Sequence, residues 1–455
     1  MLGIRYSSII YAAFVLVFGA AGANAQSTPL PKRLSLNQAE NLLIERNLAV
    51  IAARYQIEGR RAARLIAAYK PNPTVTVGLE QVPFYSPLSG SFPRFFTTNS
   101  DAGANPVYTL RLDQIWERGQ KRELRTALAD EDLKASEAQM LDAVRNQRFE
   151  LRRAFASAAL ARENLKLAET AEQQYAQTEN LTQVKVRQGD VAGVEVYRVG
   201  AGRLQYQQAV LQSQTSYDAA VRDVLNVLGA SERDIAPAAV AQVAMNSDPQ
   251  IPQSLTNAPL ELVAEFDERP VFQTLEELRS LASDQRPDVI AARHLLASAT
   301  SAAQLARAQG IRDLDTAYEY QRVGSDHSAG VVLQFPLLIN NNYKALFTQA
   351  EAQRNAAEAQ LKQAEFQATT EVNKAYQAYL SARRVLGLYS SQNLTQIDKL
   401  RTIATLSYRE GASSLFELLD AQRAYNAALT SYNQARFDYQ MARWRLEQAA
   451  GTSLQ

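Results

Sequence analysis

Two stretches, from about residue 118 to 187 and from about 343 to 409, run without a proline or glycine that would stop a helix. Both are rich in Ala, Gln, Leu, Arg and Glu, all good helix formers. At 1.5 Å per residue, roughly 70 and 67 residues make helices on the order of 100 Å long. A compact globule has no room for them, and each needs packing partners along its whole length. Shorter helical patterns at 36–70 and 191–229, and again at 275–310 and 413–450, supply such partners. Each short pair totals about 74 residues, so two short helices end to end match one long helix. The expected body is a long cylinder of antiparallel helices.

The packing code agrees. Ala421, Ala428, Ala435, Ala442 and Ala449 recur every seven residues, and Tyr425, Tyr432 and Tyr439 keep the same period. A sustained seven-residue repeat implies coiled-coil-like packing, and alanine on the seam lets helices approach closely.

The chain also repeats itself. The pentapeptide VIAAR occurs at Val50–Arg54 and at Val289–Arg293. After each copy come a helix, two short alternating runs, a long helix, a glycine and a further helix. A shift of 222 superimposes Arg187 on Arg409, Gly189 on Gly411, Glu195 on Glu417, Tyr217 on Tyr439 and Gly229 on Gly451. The shift is 239 at VIAAR and 221 at Leu112 and Leu333, because the first copy carries a longer loop at about 83–105. Insertions confined to a loop are what a repeat tolerates. The expected division is a signal peptide at 1–25, a first repeat at 26–230, a linker at 231–272 and a second repeat at 273–455. Five prolines (237, 249, 252, 259 and 270) mark the linker as surface chain with little regular structure.

The N-terminus reads as a secretory signal: Arg5, the apolar run IIYAAFVLVFGA, then small residues at Ala23 and Ala25. Cleavage is expected after Ala25. No later apolar run is long enough for a transmembrane helix. The 455 residues contain no cysteine, which excludes disulfides, thiolate metal sites and a lipidated N-terminal Cys. A net charge of +1 gives no reason to expect nucleic acid. Two histidines, His294 and His327, make neither a transition-metal site nor acid–base chemistry easy to place. No P-loop, G-x-S-x-G, H-E-x-x-H or nucleotide fingerprint is present. No enzyme, cofactor or bound metal is expected.

The alternating runs are the second constraint. Val75, Val77 and Leu79 oppose Thr74, Thr76 and Glu80. Tyr108, Leu110 and Leu112 oppose Thr109, Arg111 and Asp113, and Tyr318 and Tyr320 oppose Glu319 and Gln321. Apolar residues alternating with charged ones, over runs near ten residues, suit a transmembrane barrel with a polar lumen as well as a half-buried sheet. Four strands cannot close a barrel that holds a channel, so closure requires several chains.

These features together resemble the TolC family of outer-membrane efflux proteins. The stretches carrying the resemblance are YREGASSLFELLDAQRAYNAAL at 408–429, RQGDVAGVEVYRV at 187–199 and LDQIWERGQKR at 112–122. The last is similar to the branch that includes cobalt–zinc–cadmium efflux channels. The resemblance implies a homotrimer whose four strands per chain make one outer-membrane barrel, continued through the periplasm by an α-helical barrel. It implies a periplasmic adaptor and an inner-membrane pump, of the resistance-nodulation-division type, as partners. The implied cargo is metal ions or small toxic compounds, with type I protein secretion as the alternative within the class. A periplasmic coiled-coil adaptor is the other reading, but it leaves the strands unexplained.

The resemblance also assigns roles. Glu417 and Asp420 fall at the family's acidic positions of the periplasmic mouth, with Glu195 at the counterpart in the first copy and Tyr408 at the constricting tyrosine. Arg198 departs from the pattern, standing where the second copy has Asp420. Gly189 and Gly411 mark the hairpin turns, which are candidate adaptor-docking tips. Arg187 and Arg409, just before them, are candidates to hydrogen-bond there or pair with the acids.

Overall fold

The computed structural model describes residues 30–81, 106–231, 234–235, 260–263 and 266–454. The expected signal peptide, the loop at about 83–105 and most of the expected linker lie outside the described residues.

The first half runs β1 (Arg33–Ser35), α1 (Leu36–Arg46), α2 (Leu48–Ala68), β2 (Thr74–Glu80), β3 (Val107–Trp116), α3 (Lys121–Gln188) and α4 (Val194–Val227). After β4 (Glu261–Val263) the second half runs α5 (Leu275–Gln285), α6 (Pro287–Ala308), β5 (Leu314–Val323), β6 (Asp326–Gln334), α7 (Lys344–Leu388), α8 (Ser391–Arg409) and α9 (Leu415–Ala450). The order helix, strand, strand, long helix, helix thus appears twice.

The first long helix is one piece of 68 residues, α3. The second is not. It breaks between α7 and α8 at Tyr389, two residues after Gly387. Ser390 takes the break because its hydroxyl accepts from the Asn393 amide, while Asn393 Nδ2 donates to the Leu388 carbonyl. Ser and Asn favour such caps over helix interior, and Gly387 weakens the helix just before them, so the stretch read as free of breakers held its own break signal.

The short helices divide as well. The stretch expected at 36–70 breaks at Asn47, and the one at 275–310 breaks at Arg286, where Pro287 disfavours helical backbone before it. Asn47 and Arg286 are 239 apart, the same offset as VIAAR. Both reach the end of the helix below. Asn47 Nδ2 donates to the Val227 carbonyl at 2.7 Å, and Arg286 Nη1 donates to the Ala449 carbonyl at 3.2 Å. Each joint closes over a glycine with positive φ, Gly229 or Gly451. A Cβ on Gly451 would lie 2.9 Å from Arg286 Cγ. Two short helices therefore do stack along each long one, through a kinked joint.

The alanine seam packs as its period predicts, with Ala421, Ala435 and Ala449 buried and Ala428 and Ala442 half-buried. The main core clusters sit beside the two joints. One gathers Leu34, Leu43, Leu151, Phe155, Val221 and Val224; the other gathers Leu278, Val289, Val372, Tyr379, Tyr439 and Leu446. Part of the expected linker is ordered after all: Glu261–Val263 pairs in parallel with Arg33–Ser35, with Leu260 and Leu262 buried. Two alternate apolar side chains supply that order despite the surrounding prolines.

The other four strands form one antiparallel sheet in the order β2-β3-β5-β6. The central β3–β5 pairing, from Val107 opposite Val323 to Trp116 opposite Leu314, joins the two halves.

Candidate functional site

The sheet register decides which side chains share a face. Val75 pairs with Leu112 and Val77 with Leu110; these pair with Tyr318 and Tyr320, and Tyr318 pairs with Val331. One face is therefore apolar from edge to edge. The opposite face holds Thr76, Arg111, Asp113 and Glu319, with Arg111 Nη2 2.7 Å from Asp113 and Nη1 3.6 Å from Glu319. Among the described residues nothing covers the apolar face: Val77 is 79% exposed and Val331 64%. A half-buried sheet would hide that face. A bare apolar face of this extent marks contact with a membrane or with other protein. The edges are open too among the described residues, since β2 and β6 each pair on one side only. Among the described residues no helix is long and apolar enough to cross a membrane.

At the far end of the helices two turns lie side by side. The α3–α4 turn closes on Gly189 (φ 84°) and the α8–α9 turn on Gly411 (φ 78°). Both are built alike. Asp190 N donates to the Lys185 carbonyl and Ala412 N to the Ser407 carbonyl, each bond spanning the glycine. Only residues that tolerate the left-handed region can close such an end cheaply. The turns share a small core of Tyr175, Val199, Tyr408, Leu415, Leu418 and Leu419. Gly202 leaves room for Tyr175, because a Cβ there would stand 2.7 Å from the ring. Burial pushes the Tyr175 phenol up to about 12, with Tyr206 contributing.

The acids differ between the turns. Glu417 and Asp420 are exposed, one helical turn apart on α9, and neither forms an ion pair among the described residues. Glu417 closes a capping box: its carboxylate accepts from Ser414 N at 3.2 Å, and its own amide donates to Ser414 Oγ at 3.3 Å. The Ser-x-x-Glu spacing carries that information in the sequence. Glu195 is instead paired with Arg198 at 3.1 Å, so the departing residue neutralises the acid of the first turn.

Tyr408 is placed differently from a residue lining a mouth. It is 2% exposed, its Oη is 2.9 Å from Thr182 Oγ1 on α3, and Lys185 Nζ sits 5.2 Å from its ring centroid. In this conformation Tyr408 ties one turn to the other within the chain. Arg187 and Arg409 are exposed, and neither makes the hydrogen bond or ion pair considered for it among the described residues. Thr182 and Lys185 carry no motif that singles them out; only the fold brings them to Tyr408.

Residues 278–452 match the family model described as outer membrane efflux protein. This match covers most of the second half of the chain. Solved structures extend the fold to the first half. The outer-membrane channel OprN superposes with a TM-score of 0.72 at 18% identity, covering 92% of this chain and 90% of that one. The outer membrane protein VceC of Vibrio cholerae gives 0.69 at 18% identity over 92% and 96%. The MtrE channel of Neisseria gonorrhoeae, described in its open state, gives 0.69 at 16% identity over 92% and 89%. At these identities the likeness establishes the fold. No curated protein sequence matches the chain. Among the described residues, no group of three or more His, Cys, Asp or Glu could hold a metal ion.

Proposed function

We propose that three copies of this efflux protein close a twelve-stranded barrel in the outer membrane, continued by one helical tunnel whose mouth is formed by the turns at Gly189 and Gly411. The observation that carries this is the four-stranded sheet with a bare apolar face and two open edges. Each open edge leaves backbone N–H and C=O groups unpaired, which a membrane does not tolerate. Copies of the chain remove both edges at once. The four strands alternate in direction, so β6 of one copy meets β2 of the next in antiparallel sense. Four strands are too few to enclose a channel, whereas twelve leave a lumen lined by the Arg111, Asp113 and Glu319 face.

The tunnel mouth then carries rings of Glu417 and Asp420. Converging carboxylates favour cations over anions. The turns are also the surfaces available to a periplasmic adaptor and, through it, to an inner-membrane pump of the resistance-nodulation-division type. Metal ions or small toxic compounds are the cargo this reading favours, with type I protein secretion as the second reading. A deletion strain and its complemented control separate the two. Sensitivity to zinc, cobalt or cadmium, or to hydrophobic drugs, supports efflux; normal tolerance with altered secreted protein supports secretion.

The assembly is tested with cysteines. The chain has none, so single cysteines at Thr74 or Thr76 on β2, combined with Ser328 or Gly330 on β6, are unique. Oxidation should produce a ladder that ends at three chains. Monomer alone, or a ladder continuing past three, contradicts the closed trimer.

A further inference from the structure

The apolar face of the sheet has one row that breaks its own pattern. Leu79 pairs with Tyr108, Tyr108 with Arg322, and Arg322 with His327, so these four lie side by side across the sheet. Arg322 is the only formally charged side chain on that face among the described residues. The row sits at the end of the sheet away from the helices, next to the β5–β6 turn at Gly324. At the opposite end of the same face stands Trp116, 57% exposed. Tyr108 and Trp116 are eight residues apart on β3. At about 3.3 Å per residue and a tilt of about 40°, that is roughly 20 Å of height, near the apolar band of an outer-membrane barrel. The row therefore lies at the outer interface, level with lipid headgroups.

The guanidinium is unspent there. Its Nε donates to the Gly324 carbonyl at 3.0 Å, which fixes the side chain, and among the described residues no carboxylate pairs with it. The two nearest acids in sequence, Glu319 and Asp326, belong to the opposite face, where they pair with Gly330 and Val323. Beside Arg322, His327 is held through Nδ1 by the Tyr320 hydroxyl at 2.5 Å, which leaves Nε2 directed away from that bond. A guanidinium with no carboxylate partner at the headgroup level of a lipid-facing surface is open to an anionic headgroup as its counter-ion. A fixed planar guanidinium with an adjacent imidazole suits a phosphomonoester, which accepts two parallel N–H bonds.

We infer that Arg322 and His327, flanked by Tyr108 and Tyr320, bind the phosphate of a phosphorylated glycolipid headgroup in the outer leaflet. The inference rests on the barrel reading above, since only that reading turns the apolar face to lipid.

The test is native mass spectrometry of the intact assembly in detergent, titrated with lipid A, with chemically dephosphorylated lipid A and with phosphatidylcholine. Wild type should retain lipid A about tenfold more tightly than the dephosphorylated form. Arg322→Gln should remove that preference, Arg322→Lys should restore part of it, and His327→Gln should weaken it less than Arg322→Gln. Heat-resistant assembly and circular dichroism equal to wild type show that each variant is folded. Equal retention of phosphorylated and dephosphorylated lipid, or an Arg322→Gln variant indistinguishable from wild type, overturns the inference. Displacement by inorganic phosphate with no preference among lipids overturns it too. If the wild-type protein fails to float with lipid vesicles, the barrel reading itself has failed, an outcome distinct from loss of headgroup preference alone.

Discussion

In the proposed assembly, single residues set the charge at the tunnel mouth. Because Arg198 already neutralises Glu195, the acidic character rests on Glu417 and Asp420. Glu417→Gln with Asp420→Asn keeps the capping geometry, since an amide oxygen still accepts from Ser414 N, but removes the charge. Cation preference and block by multivalent cations should both fall in planar bilayers, with little change in thermal melting. Selectivity equal to wild type in that double variant would sink the acidic ring. A second residue links pH to stability. Asp267 accepts from Arg269 Nη2 at 2.7 Å and Arg443 Nη1 at 2.6 Å. The Arg269 guanidinium, with Arg443 adding to it against the opposing effect of burial, holds the Asp267 carboxyl well below the usual carboxylate range. A carboxyl depressed on folding stabilises above its unfolded value of about 3.9 and loses that contribution as pH falls through the folded value. Asp267→Asn should therefore destabilise by about 1 kcal/mol at pH 7. The gap from wild type should narrow as pH drops below about 4. A gap that stays constant with pH would refute the assignment.

Elements are where the sequence was legible and where it stopped being so. Long helices announce themselves by what they lack, and α3 runs unbroken from Lys121 to Gln188 as its composition demands. Breaks made by caps are quieter. The one at Tyr389 comes from a Ser–Asn pair that is ordinary on any helix surface, and the one at Asn47 comes from a side chain that bonds residues 100 and 180 positions away. No local pattern encodes a partner that distant. The same limit applies at the turns. Gly189 and Gly411 were readable because a positive φ favours glycine, whereas Tyr408's contact with Thr182 spans 226 positions and depends on the packing of α8 against α3. The alternation in the strands gave the faces but could not distinguish a membrane sheet from a half-buried one; the bare apolar face supports the barrel proposed above. The joints make their own prediction. Arg286 is 2% exposed and holds Asp288, Glu371 and the Ala449 carbonyl. Arg286→Ala leaves these groups unpaired beside a buried gap and should lower stability by about 2 kcal/mol. Arg286→Lys should recover only part of it, because one ammonium cannot span three acceptors in different directions. Thermal melting of the folded assembly reads both, and an Arg286→Ala variant as stable as wild type would show that the joint does not depend on this side chain.

The whole molecule follows from a mismatch between what the chain buries and what it leaves open. Its helices are satisfied by one another along most of their length, through alanine seams and kinked joints that repeat almost identically in the two halves. The sheet is not satisfied: it ends in two open edges and one bare apolar face. In the proposed assembly a lipid bilayer answers the face, and further copies of the chain answer the edges. The most direct test is conductance of the purified protein in planar bilayers. The account predicts stepwise, lasting openings that prefer cations, together with an assembly of three chains in detergent. A protein that stays monomeric in water, or that inserts without any conductance step, would contradict it.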